Sequence, residues 1–458
     1  MIIYIFITIN IIILLIIIYF NFIHTKLLFQ PYTLKLKSIV SQFHSFDNKP
    51  IVKNDGHIFG LPIFSNTNKL DLHQFNNIIH IDYVNQYIEV EGSTYIHTIL
   101  NELTLYNWII QVPPDMYHLT ISGLIAGIGG GSSSFKYGFI HDNIIEMDIL
   151  TGVGEIINCS KTHNSKLFYS IPNSLGTLGY ILKLKLKIRK ATSYIRVNYI
   201  HFDDSDKYFQ ALYDYSNNPN IDFLEGTIFN PTHLVLIIGY FQYNLPPNSN
   251  LFNHTHVFWQ NLKDKNLTLQ FFTLNDYIWR WDPDMYYTTM ETSPWTRNSF
   301  LRNLIPKCVL KSTIYRGFAN LLNFKHNALD CNDILIPIKQ SHTFFQWFSQ
   351  HYSLYPIYIC PVKSQNDFTL FKKDFYCDFG IGYGVNFNTN ERPPNLDFIL
   401  EDKILEFQGT KLLYTPYFSS EDKFWKTIKT NQTTYNNLKK NYDPYNKFLS
   451  LYQKIKKY

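Results

Sequence analysis

No Cys-x-x-Cys pair occurs in this sequence, and its five cysteines, Cys159, Cys308, Cys331, Cys360 and Cys377, are scattered and odd in number. That leaves no natural disulfide framework and no thiolate set for zinc or iron–sulfur ligation, so the chain reads as metal-free and suited to a reducing compartment. Charge of one sign is also scarce, with a net charge of only +5 over 458 residues. The C-terminal lysines (Lys439, Lys440, Lys447, Lys454, Lys456, Lys457) read as a solvated helix face. Without a zinc-finger, helix-turn-helix or RNA-binding signature beside them, nucleic acid is not an expected partner. A hydrophobic content of 45% against 17% charged excludes a disordered chain. Aromatics are abundant, with 34 Tyr and 37 Phe, which lowers the weight of any single ring as a functional candidate. N-x-[ST] triplets begin at Asn158, Asn253, Asn266 and Asn431 and matter only if the body is lumenal.

No lysine or arginine precedes Lys26. Before it, Ile2 to Ile23 is aliphatic or aromatic apart from Thr8, Asn10 and Asn21. A run of ~20 apolar residues as a helix spans the ~30 Å hydrocarbon core of a bilayer. A cleaved signal peptide needs a basic start and a small-residue cleavage site, and Asn21-Phe22-Ile23-His24 is bulky. The expectation is a transmembrane anchor over residues 1–25. Lys26, Lys35, Lys37 and Lys49 all follow it, which leaves the body on the cytoplasmic side.

Behind the anchor, Tyr87–Gly92 alternates as a half-buried strand, and Ser93 and Thr94 offer N-caps to a helix over Tyr95–Tyr106. Trp108 to Val112 reads as an extended piece ended by Pro113-Pro114-Asp115. Met147–Leu150, the turn Thr151-Gly152-Val153-Gly154 and Glu155–Asn158 predict a hairpin. Ser165 to Ile171 suits a short helix, and the strict alternation of Ile181–Ile188 predicts a strand with lysines on one face. From about residue 190 to 410, helical stretches (Ser205–Tyr215, Thr343–Tyr352) mix with strands (Leu234–Ile238, Ile334–Ile338, Tyr355–Cys360), as in a second α+β domain. The tail after Ser419 reads as helical.

Glycines concentrate in one place, at 123, 127, 129, 130, 131 and 138. The segment Leu119–Gly138 lets main-chain N–H groups approach an anion without Cβ interference, while its serines add donors. It lacks the Gly-Lys-[Ser/Thr] of a Walker A loop. The third glycine of a Rossmann fingerprint counted from Gly127 falls on Ser132, so both common nucleotide loops are disfavoured. A diphosphate cradle of another kind fits, and so does a plain flexible loop.

The order Thr120-Ile121-Ser122-Gly123, glycine run, Ser132-Ser133-Ser134, Lys136-Tyr137-Gly138, hairpin, then Asn173–Tyr180 resembles the FAD-binding domain of the vanillyl-alcohol-oxidase (PCMH-type) superfamily. Tyr277–Asp282, Asp333–Lys339, Tyr355–Pro361, Leu413–Tyr417, Phe424-Trp425 and Tyr442-Asp443-Pro444 extend the resemblance, with gaps, to the Δ24-sterol reductases and related FAD-linked oxidoreductases. The resemblance implies an α+β fold: a two-subdomain FAD-binding domain over residues 26–190, a substrate (cap) domain over 191–410, and a C-terminal helical segment, 411–458, returning to the FAD domain. It implies non-covalent FAD held by Thr120, Ile121, Ser122, Gly123, Leu124, Gly127, Gly129, Gly130, Gly131, Ser132, Ser133, Ser134, Gly138, His141, Gly176, Thr177 and Gly179. The arginine-glycine loop usual in the superfamily is only loosely filled by Asn54–His57 and Gly60–Pro62, and His57 reads as a loop histidine.

The implied activity is reduction of a C=C bond in a sterol side chain, with NADPH or NADH as reductant, at an endoplasmic-reticulum-like membrane in a eukaryotic cell or host. Lys136 and Arg280 are candidate cations for the charge of a reduced flavin, with Arg280 expected between Trp279 and Trp281; Tyr417 and Tyr414 are candidate proton donors. An alcohol oxidase or dehydrogenase of the same superfamily, and a membrane-tethered binding protein without turnover, stand as alternatives.

Overall fold

The computed structural model describes residues 30–53, 67–253, 256–284, 286–287, 330–383, 395–413, 415–428 and 431–456. The expected anchor over 1–25, the Asn54–Pro62 segment with His57, and Tyr414 lie outside the described residues. Among the described residues no helix is long and apolar enough to cross a membrane.

Helix α1 (Tyr32–Ser45) follows Pro31 and buries Lys35, Ile39 and Phe43, positions four apart on one face. Buried Lys35 is matched by Glu91, 2.6 Å away. Strands β1 (Ile51–Lys53) and β2 (Asn68–Leu70) form a small parallel pair. The main sheet of the first domain uses β3 (Ile78–Asp82), β4 (Tyr87–Glu91), β5 (Trp108–Ile110), β6 (Ile144–Leu150), β7 (Ile156–Ser160) and β8 (Tyr180–Lys190). Its order is β3-β4-β8-β6-β7, with β5 on the far end of β8. The expected hairpin is β6–β7, paired Leu150↔Ile156 through Glu146↔Ser160. In β8, Leu184, Leu186 and Ile188 enter the core while Lys183 and Lys185 meet Glu89, Asp148 and Glu146 on the opposite face.

Helix α2 (Ile96–Thr104) buries Ile96, Ile99, Leu100 and Leu103 against this sheet, each worth about 1.5–3 kcal/mol relative to exposure. The side-chain cap expected from Ser93 or Thr94 is not made. Tyr95 opens the helix without a side-chain bond, and Thr94 Oγ1 donates to Asn77 O. The backbone of residues 92–94 is instead engaged by the next helix, α3 (Ile121–Ala126): Ile121 N donates to Thr94 O and Ser122 N to Gly92 O. Gly92 permits this contact, since a Cβ there would strike Ile181 O. Short helices α4 (Ser134–Tyr137) and α5 (Ser165–Phe168) complete this part; α5 is three residues shorter than expected.

The second sheet has β9 (Tyr194–Phe202), β10 (Phe223–Asn230), β11 (His233–Gln242), β12 (Leu269–Thr273), β13 (Asp330–Pro337), β14 (Ile357–Lys363), β15 (Phe375–Tyr383) and β16 (Thr410–Lys411), in the order β12-β9-β11-β10-β14-β15-β13-β16. All its pairs are antiparallel. The chain connects them through α6 (Ser205–Ser216, capped by the Asp204 side chain), α7 (Phe258–Asn261), α8 (Leu274–Ile278), α9 (Ser341–His351) and α10 (Leu396–Glu406). One face packs Leu224, Ile228, Leu236, Ile359, Cys377 and Phe379 against α6, α9 and α10. Alternation sends the intervening residues to the other face, which meets the glycine-rich segment: Leu335, Cys360, Val362 and Tyr376 pack with Ile128 and Phe139.

Helices α11 (Glu421–Thr427), α12 (Gln432–Tyr442) and α13 (Leu451–Ile455) return to the first domain. Tyr435 donates to Thr177 Oγ1, and Lys439 Nζ donates to Thr177 O while pairing with Asp443.

Candidate functional site

The glycine-rich segment lies between the two sheets and is tied to both. Its N-terminal amides are spent within the chain: those of Ile121 and Ser122 on residues 92–94, and that of Gly123 on Thr120 Oγ1. These amides of the expected phosphate cradle are therefore already paired within the chain. Among the described residues, the N–H groups of Gly130, Ser132 and Ser133 have no acceptor. Gly131 sits so close to Pro113 that a Cβ would strike its carbonyl oxygen, and Gly129 is similarly closed in by Leu124. Ile128, at φ 59°, is a β-branched residue in left-handed backbone, a strained conformation that clusters at ligand-binding loops.

A second turn buttresses the first. Asn173 N donates to Ile125 O and Leu175 N to Ala126 O; Asn173, Leu175 and Gly176 all have positive φ. Buried polar atoms around the pair lack partners: Gln111 Oε1, Asn173 Oδ1 and Ser174 Oγ. Unmet buried polar atoms are rare in native interiors, and these belong to residues tied to the segment: Gln111 O accepts from Ser133 Oγ, and Asn173 N donates to Ile125 O. This donor-rich, glycine-lined set fits the phosphates and polar edge of a dinucleotide.

The other expected contacts divide. Ser133 Oγ donates to Gln111 O, and Ser134 Oγ accepts from Gly131 N. Gly138 takes φ 72° with Asp142 against it, and Asp142 also accepts from Gln365 N and Asn366 N of the second domain. His141 has neither ring nitrogen bonded; it packs among Phe139, Phe368 and Phe371, where burial lowers its pKa to about 4 and keeps it neutral. Thr177 is engaged by Ser174 and by the C-terminal helices. Gly179 admits no Cβ beside Leu150 O.

Arg280 stands in a buried polar assembly on the sheet face that meets the glycine-rich segment. Its Nη2 lies 2.6 Å from Glu225 Oε1, its Nε donates to the same oxygen at 2.9 Å, and its Nη1 is 3.4 Å from Asp115 Oδ1. Glu225 also accepts from Trp281 Nε1 and, at 3.0 Å, from Tyr358 OH; Asp115 accepts from Tyr286 OH at 3.2 Å. The rings beside the guanidinium are Tyr277, at 4.1 Å, and Phe258; the expected sandwich between Trp279 and Trp281 is not formed. Burial raises the Asp115 carboxyl to about 7, a rise that Arg280 partly opposes. The assembly touches the cradle: Cys360 Sγ contacts Gly131 O at 3.3 Å, Leu224 N donates to Ser132 O, and Asp115 follows the prolines against which Gly131 packs.

Lys136 and Tyr417 are not part of this assembly. Lys136 Nζ donates to Pro219 O and Ile221 O, fastening α4 to the second domain. Tyr417 is fully buried with its hydroxyl 2.8 Å from Thr427 Oγ1. Sequence reasoning missed Asp115, Glu225, Tyr286, Tyr358 and Cys360. Glu225 carried a usable signal, because a lone carboxylate inside the apolar run Phe223–Ile228 has to be matched or protonated. Asp115 was masked by its role in ending a strand.

Residues 35–160, the part containing the cradle, match a family described as an FAD binding domain. The chain is 24% identical to the Delta(24)-sterol reductase of Rattus norvegicus over 412 residues, 86% of this chain and 78% of that one. It is 25% identical to the Delta(24)-sterol reductase of Arabidopsis thaliana over 446 residues, covering 85% and 76%. A shorter stretch of 150 residues is 32% identical to cytokinin dehydrogenase 3 of Arabidopsis thaliana, covering 31% of this chain and 27% of the other. The chain thus carries an FAD binding domain over residues 35–160 and is similar, over most of its length, to the Delta(24)-sterol reductases.

Proposed function

We propose that this FAD-dependent oxidoreductase reduces a carbon–carbon double bond in a sterol or related lipid, taking its electrons from NADPH or NADH. The observation that carries this reading is the Arg280–Glu225–Asp115 assembly, buried in an otherwise apolar wall that faces the bare amides of Gly130, Ser132 and Ser133. FAD, when bound, supplies the hydride chemistry that no side chain can. Gly130, Ser132 and Ser133 hold its phosphates through their N–H groups, and the Asn173–Gly176 turn keeps that loop in place. Leu335, Val362, Phe368 and Tyr376 provide an apolar surface for a hydrocarbon and exclude water. Arg280, its charge already met by two carboxylates, fixes the pocket's charge and positions Glu225 and Asp115. Lys136 and Tyr417 act through structure, one clamping the two domains and the other bracing the C-terminal segment. The apolar run Ile2–Ile23 tethers the enzyme to the bilayer in which such a substrate dissolves.

The test is the flavin absorbance of detergent-solubilised full-length protein, before and after anaerobic NADPH, then with a sterol bearing a side-chain alkene. Bleaching by NADPH and recovery with the alkene are expected. A flavin indifferent to NADPH yet bleached by an alcohol would replace this reading with the oxidase one.

A further inference from the structure

Asp378 occupies the middle of β15. Its neighbours Cys377 and Phe379 face the helices, so alternation turns Asp378 to the same side as Tyr376, toward Ile128 and Phe139 of the first domain. It is 9% exposed, and its Oδ1 has no hydrogen-bond partner. In register it lies across from Cys360, whose thiol contacts Gly131 O of the cradle, and from Leu335 on the other side. One residue pair along, Gly380 separates Tyr358 from Asp333, and a Cβ at Gly380 would come within 3.0 Å of Asp333 Oδ1. Asp333 and Tyr358 thus close in on Gly380, beside a carboxyl with an unspent oxygen.

We propose that Asp378 is the catalytic acid of this site, giving its proton to the alkene carbon that does not receive the hydride. The inference rests on the ene-reduction reading above. One alkene carbon gains a hydride, with its two electrons, that originates in the dihydronicotinamide. The π pair then forms the second C–H bond with the proton leaving Asp378, whose O–H bond breaks, and the carboxylate regains a proton from water. The dihydronicotinamide is oxidised and the alkene reduced.

Three features suit Asp378 to that role. No cation among the described residues pairs with it, whereas Arg280 serves Glu225 and Asp115. Burial, reinforced by Asp333, pushes its carboxyl well above the usual carboxylate range, the direction that favours the protonated form an acid needs. The nearest titratable groups are neutral or acidic, Asp333 from β13, Tyr358 and Cys360 from β14, Tyr376 from its own strand and Glu225 from β10; beyond them lie Asp115, Tyr286 and the cation Arg280, which is paired with Glu225 and Asp115.

Infrared spectra of the solubilised full-length protein at neutral pH test this without turnover. A protonated-carboxyl C=O band that shifts in D₂O, survives in Asp115→Asn and disappears in Asp378→Asn is expected. In turnover, Asp378→Asn should retain flavin absorbance and bleaching by NADPH but lose about a hundred-fold or more in alkene reduction. Wild-type product formed in D₂O should carry solvent deuterium at the carbon that receives the proton. A wild-type spectrum without the band, or an Asp378→Asn enzyme with wild-type turnover and pH profile, would overturn the inference. The band requires no variant to fold. A wild-type flavin that NADPH never bleaches would instead sink the parent reading, and the role of Asp378 as alkene acid with it.

Discussion

The two sheets of this protein carry charge in opposite ways. On the first, Lys183 and Lys185 of β8 are partly exposed and each finds a carboxylate on a neighbouring strand: Lys183 with Glu89 at 2.7 Å and Asp148 at 3.5 Å, Lys185 with Glu146 at 2.8 Å. On the second, the inner face carries Glu225, Asp333 and Asp378; Glu225 shares the Arg280 guanidinium with Asp115 of the first domain, and Glu225, Asp115 and Asp378 are buried. Both arrangements come from the same period-2 alternation. The ladder on the first sheet solubilises an outer face; the second places acid where water is excluded, which is costly unless the groups are matched or protonated. An unbalanced set of buried charges is therefore the better guide to chemistry than a count of salt bridges.

The largest effect that would sharpen this contrast is expected at Glu225. Glu225→Gln leaves Arg280 with Asp115 as its remaining carboxylate, 3.4 Å away. Breaking a buried pair from one side costs about 3–5 kcal/mol. Denaturant unfolding should register that loss, and the double variant Glu225→Gln/Arg280→Met should recover part of it. If the single variant unfolds like wild type, the distinction between the two sheets fails.

Next in size is the cradle. Gly131→Ala forces a Cβ against Pro113 O, an overpacking that costs about 1–3 kcal/mol. Because Gly131 lies between the bare amides of Gly130 and Ser132, the variant should also purify with less flavin per chain. Full flavin occupancy in Gly131→Ala would move the cradle elsewhere.

A smaller, pH-dependent effect is expected at Lys454, which is buried against Leu175 O beside the second turn. Burial, with Lys439 and Lys53 adding repulsion, lowers its pKa to about 7 from an ordinary value of about 10.4. The folded state thus binds its proton less readily than the unfolded chain does. Its destabilising contribution is fully present below pH 7 and is relieved as pH rises toward 10. Relative to Lys454→Met, the wild-type melting temperature should therefore improve between pH 6 and pH 9. A difference independent of pH would mean that the lysine is neutral throughout or is reached by water.

Much of the architecture was legible because burial and alternation coincide. The β6–β7 hairpin, β8, α6 and α9 all follow from period 2 or period 3.6 with bounds close to those expected. The site was legible only in part. Glycine clustering located the cradle, yet it could not say which amides remain bare, since that depends on Thr94 O and Gly92 O reaching α3 from a distant strand. Arg280 was visible as a lone cation in an aromatic run, but its partners come from residues 115 and 225, which no local pattern connects. The Asn173–Tyr180 stretch was visible, whereas the C-terminal lysines read as a solvated face include Lys439 and Lys454, both buried. Helical periodicity reports amphipathic stripes, and a lysine that hydrogen-bonds carbonyls from inside the fold has no signature there.

The smallest effect is expected on the first sheet and completes the comparison. Lys185 and Glu146 are each partly exposed, and ion pairs of that kind contribute about 0.2–1 kcal/mol, less at high salt. Lys185→Ala should shift the unfolding midpoint by no more than that and leave flavin content and turnover unchanged. The loss should shrink further in added salt, because the pair is screened by solvent that cannot reach Arg280 or Glu225. A Lys185→Ala variant as damaged as Glu225→Gln would mean that the ladder is buried by something the isolated chain lacks, such as a second surface laid over β4, β8 and β6. The solvated face would then itself be an interface.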